Sequence, residues 1–267
     1  VMKIRTIQEL LFVIHTQTEG NVLSADPETL AAQLAESDLM QILAETHKGD
    51  VPFCFRIGVS GAMSLEERSI FSKRVATAIE GAFERNLINS TSHYEVELRL
   101  LQHREGGFVP LLKLYTLPDH RFDYRRYYVA ASMKPMMAAG LMALAKPYLK
   151  EYAQILDPFC GVGTLLMERR FAVPARNAYG IDTFGEAIEK ARVNSKIAGM
   201  QTNYINRDYF DFVHDYKFDE IVTDLPAGKL SKPELDDLYR RFFEKSDEGL
   251  AEDGRMIFFS REMGLVK

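Results

Sequence analysis

From residue 152 onward, short apolar runs alternate with longer amphipathic stretches. AQILD, NAYGID, FDEIVTD and GRMIFFS have the length and β-branched or aromatic content of buried strands, and TNYINRD is a further candidate. Between them lie TLLMERRF, FGEAIEKARVNSKIAG and PELDDLYRRFFEKSDEGL, which carry apolar residues at helical spacing. Strands separated by helices predict an α/β domain, a parallel-type sheet with helices on both faces, over residues 151–267.

The amino-terminal part has a different rhythm. IQELLFVI, from Ile7 to Ile14, is an apolar run that periodicity leaves open between helix and strand. Asp26-Pro27-Glu28 is a helix start with proline at the first helical position, and the spacing predicts one helix carrying Leu30, Leu34 and Leu43 as far as Gly49. FCFRIGV is a short strand. Ser64-Leu65-Glu66-Glu67 matches a capping box, and Phe71, Val75, Ile79 and Phe83 form one stripe of the helix behind it. YEVELRLL alternates apolar and charged residues, which predicts a strand with one wet face. FVPLLKLYT follows after Gly106-Gly107. Residues 1–117 therefore read as a small α+β module. PDHRFDYRRYY and the apolar helix KPMMAAGLMALAKPYL, within residues 118–150, connect it to the α/β domain.

Composition changes this picture little. A chain of 267 residues allows one large or two modest domains, and no apolar run has the length of a membrane span. Cys54 and Cys160 are the only cysteines, which offers no disulfide framework and suits a cytoplasmic location. Through residue 130 there are 14 Lys and Arg against 17 Asp and Glu, so any nucleic-acid surface must be local. The six histidines are scattered, and no metal site is expected.

Candidate chemistry collects at predicted strand ends. Gly161 and Gly163 lie where AQILD turns into its helix, the place where a parallel sheet receives ligands. A dinucleotide fingerprint would have a third glycine at 166, where leucine stands, and Asp157 would repel a pyrophosphate. Asp182, 25 residues on, can accept from ribose hydroxyls. Asp208 can accept from an adenine amino group. Together they describe a pocket for an adenosyl ligand with a positive tail, which S-adenosylmethionine (SAM) fits better than NAD. In TDLPAG, Asp224 and the rigid backbone around Pro226 supply acceptors for an exocyclic amino group and can stabilise the charge it gains on attack.

DPFCGVGT, LLMER and DLPAG after FDEIVT resemble the THUMP-domain RNA methyltransferases, class I Rossmann-like SAM enzymes often labelled N6-adenine-specific DNA methylases. The likeness extends into RRYYVAASMKPMMAAGLMALA and, more loosely, over residues 50–117. It implies that Asp157, Pro158, Phe159, Cys160, Gly161, Gly163 and Thr164 shape the methionine side of the SAM site. Asp182 would bind the ribose and Asp208 the adenine, while Ser132 to Pro135, Lys134 included, would close over the cofactor. Asp224 and Pro226 take the catalytic positions, and Leu225 is similar to the form found in tRNA guanosine-N2 enzymes. The implied substrate is RNA, a tRNA or an rRNA, bound by a partial THUMP-like module and by Arg121, Arg125 and Arg126 with their neighbouring rings.

Two departures stand out. Position 227 is alanine where the family has a stacking Phe or Tyr, worth roughly 1–3 kcal/mol per base. The family pattern also implies a further amino-terminal module and two more carboxy-terminal strands, so the chain is expected to be a fragment. Three functions follow for comparison: a guanine-N2 methyltransferase, an adenine-N6 methyltransferase of the same geometry, and an RNA-binding protein with a degenerate methylase fold.

Overall fold

A computed structural model describes residues 3–228 and 230–266. Two compact units are present. Glu9–Pro118 is one; the chain from Asp119 onward, with the segment ending at Gln8, is the other.

The first unit contains β1 (Phe12–Val13), α1 (Pro27–Ala35), α2 (Leu39–Thr46), β2 (Phe53–Ser60), α3 (Leu65–Ala82), β3 (Leu87–Asn89), β4 (Val96–Gln102) and β5 (Phe108–Leu114). Its sheet has the order β1-β5-β4-β2-β3, with β2 parallel to both neighbours and β5 antiparallel to both of its own. The capping box at Ser64 and Glu67 is formed, and Val75, Ile79 and Phe83 of its stripe are buried.

One open reading is settled here and two expectations change. IQELLFVI contributes only the two-residue strand β1. The helix expected from Pro27 to Gly49 is two helices, because the polar residues between them take hydrogen-bond partners outside the helical ladder. Ser37 Oγ donates to the Leu34 carbonyl, and Asp38 accepts from the His15 amide at 2.7 Å. The second face of β4 is not wet at Glu97, which is 3% exposed. It accepts from Arg56 Nε at 2.8 Å, Arg99 Nε at 2.7 Å and the Tyr115 hydroxyl at 2.9 Å. Burial alone would raise its pKa; these bonds outweigh it and hold the carboxylate below its ordinary value.

The second unit contains α4 (Pro135–Ala145), β6 (Ala153–Asp157), α5 (Thr164–Ala172), β7 (Ala175–Asp182), α6 (Gly185–Ile197), β8 (Asn203–Asn206), β9 (Phe218–Asp224), α7 (Lys232–Gly249) and β10 (Leu250–Phe259). All five strands are parallel, in the order β10-β9-β6-β7-β8. Every residue of β6 is buried, as a central strand covered on both faces requires. Neighbours on a strand point to opposite faces. Ile155 accordingly packs with Leu166, Ile188 and Ala191 of α5 and α6, while Leu156 packs with Leu235, Tyr239 and Phe242 of α7. This is a three-layer, Rossmann-like sheet whose chain order reverses between β6 and β9.

The arginine- and tyrosine-rich segment is largely structural. Arg121 is 6% exposed, pairs with Asp119 and donates to the carbonyls of Ile4 and Ile7. Tyr124 is buried and donates to Glu168 at 2.6 Å; Arg5 holds the same carboxylate through two bonds at 2.7 and 2.9 Å. The carboxylate on α5 thus keeps a charge partner away from water. Arg126, Tyr127 and Tyr128 remain exposed, so only these of the expected RNA-facing side chains lie at the surface.

Candidate functional site

Parallel strands place all their carboxyl ends along one edge, and a ligand crevice opens where the strand order reverses. Asp157 ends β6 and Asp224 ends β9, the two strands flanking that point. Asp182 ends β7, and Asp208 follows β8 by two residues. The sequence-derived acids therefore share one edge of the sheet.

Asp157 is 1% exposed. Its Oδ1 accepts from the Thr223 hydroxyl at 2.7 Å and from the Phe159 amide at 3.1 Å. Burial, together with the nearby charges of Asp224 and Asp182, pushes its pKa up to about 7 against the two hydrogen bonds. Asp224 is half-buried. Burial raises its pKa too, and the charge of Arg261 opposes the shift. Among the described residues, no side chain or backbone amide donates to the Asp224 carboxylate.

The loop between β6 and α5 is built by its glycines. Gly163 has φ +78°, and a Cβ there would collide with the Tyr204 hydroxyl, which bonds Ser195 at 2.8 Å. Gly161 has φ +52°, but a Cβ there would point into open space. Gly163 is thus demanded by the protein's own packing, while Gly161 leaves room for something outside it. Cys160 is buried in the α5/α6-side core, and burial raises its thiol pKa, so it packs rather than reacts. Phe159 packs against Tyr209 and Phe242, Pro158 precedes it in the turn, and Thr164 opens α5.

Asp182 accepts from the Gly161 amide through Oδ2 and from the Phe184 amide through Oδ1, both at 2.8 Å. A carboxylate has about four lone-pair sites, so two stay available for hydroxyl groups. Asp208 accepts from the Phe210 amide at 2.9 Å and is otherwise exposed. Lys134 and Pro135 start α4, Lys134 exposed and Pro135 half-buried. Pro226 presents its carbonyl to the Tyr239 hydroxyl at 3.1 Å.

Several contributors escape a reading by residue type. Asn194 is fully buried on α6; it exchanges bonds of 3.1 and 2.9 Å with the Tyr127 backbone and donates to the Val162 carbonyl at 3.5 Å. Arg125 donates to the Met133 carbonyl at 3.2 Å and to Thr164 Oγ1 at 3.4 Å. These bonds pin residues 125–133 to the glycine loop. Asn194 does leave a sequence signal, since it sits in the apolar stripe Ala187, Ile188, Ala191. Among the described residues, no group of three or more His, Cys, Asp or Glu side chains is placed for a metal ion, and no helix is long and apolar enough to cross a membrane.

This edge of the sheet suits a ligand that is cationic at the β6–β9 junction and carries hydroxyls near β7. A pyrophosphate would meet Asp157, Asp182 and Asp224 together. The raised pKa of Asp157 has a measurable consequence. A carboxylate whose folded pKa lies above its unfolded value of about 4 stabilises fully below that value and loses the contribution as pH rises toward 7. Asp157→Asn keeps an acceptor for Thr223 and Phe159 without the charge. Between pH 4 and 8, the wild type should lose roughly 2–4 kcal/mol relative to this variant. Urea unfolding of both proteins at the two pH values measures this, and parallel pH profiles would contradict the assignment.

The family described as UPF0020, RMKL-like, methyltransferase domain, matches residues 123–266, more than half of the chain. A tRNA (guanine(10)-N2)-dimethyltransferase of Methanothermobacter thermautotrophicus is 32% identical over 156 residues, 55% of this chain and 45% of the relative. The chain thus spans less than half the length of that relative. TrmN of Thermus thermophilus superposes with a TM-score of 0.65 at 21% identity, over 92% of this chain and 71% of TrmN. SMU.472, solved in complex with SAH, gives a TM-score of 0.68 at 16% identity, over 96% and 76%. At these identities the structural likeness speaks for the fold, which is that of the class I methyltransferases.

Proposed function

Because the chain belongs to the UPF0020 family of RMKL-like methyltransferase domains, we propose that it methylates an exocyclic amino group of a base in RNA, using SAM. Guanine N2 in a tRNA is the favoured target, as in the name of the archaeal relative. The observation that carries this reading is the shared edge of Asp157, Asp182 and Asp224, with Gly161 open beside them.

SAM, when bound, supplies a methyl group on a positively charged sulfonium. Asp157 would face its α-amino group, and Asp182 would accept from its ribose hydroxyls beside the Gly161 amide. Asp208 would accept from the adenine amino group. Pro158, Phe159, Cys160, Gly163 and Thr164 shape the turn, and Ser132 to Pro135 cover it. Asp224 would accept one N–H of the target amine and hold its lone pair toward the methyl group. Its half-buried carboxylate stabilises the positive charge that develops on the nitrogen and can take the departing proton. Pro226 keeps the turn after Asp224 rigid.

The Glu9–Pro118 unit is assigned a THUMP-like, RNA-holding role; Arg126, Tyr127 and Tyr128, exposed on the other unit, are assigned RNA contacts of their own. A cytoplasmic location fits a tRNA substrate. Ala227 supports a second reading, an RNA-binding protein that keeps the SAM pocket and has lost turnover. Calorimetric titration with SAM tests the shared part of both readings. Asp182→Ala is expected to weaken SAM binding by about 100-fold or more, the worth of two hydrogen bonds to a charged group. Equal affinity in the variant would remove Asp182 from the ribose site. Methyl transfer to unmodified tRNA separates the two readings.

A further inference from the structure

Tyr239 lies at an apolar spacing on α7 with Leu235 and Phe242, and its ring is 1% exposed in their core. Its hydroxyl is not idle there. It lies 3.1 Å from the Pro226 carbonyl and 3.1 Å from Ser260 Oγ, and Ser260 Oγ lies 3.0 Å from the Glu262 amide. Donor roles in this chain are fixed by chemistry. A carbonyl only accepts, so the Tyr239 proton points to Pro226; the Ser260 hydroxyl then donates to Tyr239, and its own oxygen accepts from Glu262 N–H. The result is a directed relay running from Glu262 through Ser260 and Tyr239 to Pro226.

That relay joins the turns after β9 and β10 on the α7 side of the sheet. The Leu225 amide also donates to the Phe259 carbonyl at 2.9 Å, and the Leu225 side chain is 2% exposed in the same core. The turn after Asp224 is therefore held by one amide bond, one buried side chain and one tyrosine hydroxyl. Among the described residues, no hydrogen bond reaches the Leu225 carbonyl. It stands as the backbone acceptor next to Asp224.

We infer that Tyr239 is a positioning residue: by binding the Pro226 carbonyl, its hydroxyl sets the orientation of the Asp224–Leu225 acceptor pair toward the target amine. This rests on the methyltransferase reading above for its chemical consequence, but not for its structural one. The hydroxyl touches neither cofactor nor target base, so its effect must appear in turnover rather than in SAM binding.

Tyr239→Phe removes one oxygen and leaves the ring in its core. For this variant we expect the turnover number for methyl transfer at saturating substrates to fall about 10-fold, with SAM affinity within twofold of wild type. Hydrogen exchange in a peptide spanning residues 222–228 should accelerate about 10-fold. Ser260→Ala should lower turnover only a few-fold, because the bond to Pro226 survives. Unchanged turnover in Tyr239→Phe overturns the inference. If the wild type itself transfers no methyl group, the reaction assigned above fails, and exchange at 222–228 still decides the positioning claim. Unchanged exchange refutes it, whereas accelerated exchange upholds it.

Discussion

Asp224→Ala is expected to lower the turnover number for methyl transfer by about 10³-fold while SAM affinity changes less than threefold. The magnitude follows from two losses. Removing a group that takes a proton during reaction costs typically 10²–10⁴-fold, and removing one oriented electrostatic stabiliser costs about 10²–10³-fold. These overlap in a single carboxylate, so they do not multiply. Asp224→Asn retains one acceptor oxygen without charge and should fall between the variant and wild type. Asp224 ends β9, whereas the proposed ribose acceptor Asp182 ends β7, two strands away across β6, which is why binding should survive. Single-turnover transfer of labelled methyl to tRNA, beside calorimetry with SAM, makes the measurement. Retained turnover in Asp224→Ala would move the chemistry elsewhere.

The largest stability effect is expected at the opposite edge of the same sheet. Arg169 of α5 and Glu220 of β9 have no side-chain exposure and are joined by bonds of 2.7 and 3.1 Å. Arg169 also donates to the carbonyls of Val173 at 2.6 Å and Lys150 at 2.7 Å. Glu220 accepts in addition from the Lys150 amide. Breaking a buried pair leaves one charge stranded, at a cost of about 3–5 kcal/mol. Arg169→Met should therefore lower the unfolding free energy by that amount, a large part of the 5–15 kcal/mol typical of a domain. Replacing both residues, Arg169→Met with Glu220→Leu, should recover most of the loss, since a pair of that kind can be exchanged for apolar side chains at little net cost. Urea denaturation monitored by circular dichroism compares the three proteins. A double variant as unstable as Arg169→Met would show that lost packing, not the stranded charge, sets the cost.

The architecture of the second unit is readable in the chain because its central strands are short, mostly buried apolar runs with helices of clear periodicity between them. Ala153–Asp157 and Phe218–Asp224 coincide with the runs AQILD and FDEIVTD for that reason. What escapes is decided by partners far apart in sequence. Arg169 and Glu220 sit in MERR and FDEI, where charges look solvated, and 51 residues separate them. Glu97 looked wet because alternation reports spacing, not the arginines that cover it. The run Arg121–Tyr128 looked like a nucleic-acid surface, yet its buried members serve the fold. β3, three residues long, is too short for its periodicity to register. At the candidate site, residue type points to the acids, but Thr223, which bonds Asp157, and Tyr239 and Asn194, which hold the neighbouring turns, sit in strand or helix stripes that resemble ordinary packing.

The pairing of Arg5 with Glu168 makes the Glu9–Pro118 unit an insertion. The polypeptide runs through the second unit as far as Gln8, leaves it for about 110 residues, and returns. Genetic dissection must respect that path. Cutting the chain before residue 119 would leave Glu168 buried with a tyrosine hydroxyl as its remaining side-chain donor among the described residues. An autonomous form of the second unit would instead come from excising residues 9–118 and splicing residue 8 to residue 119 through a short flexible bridge.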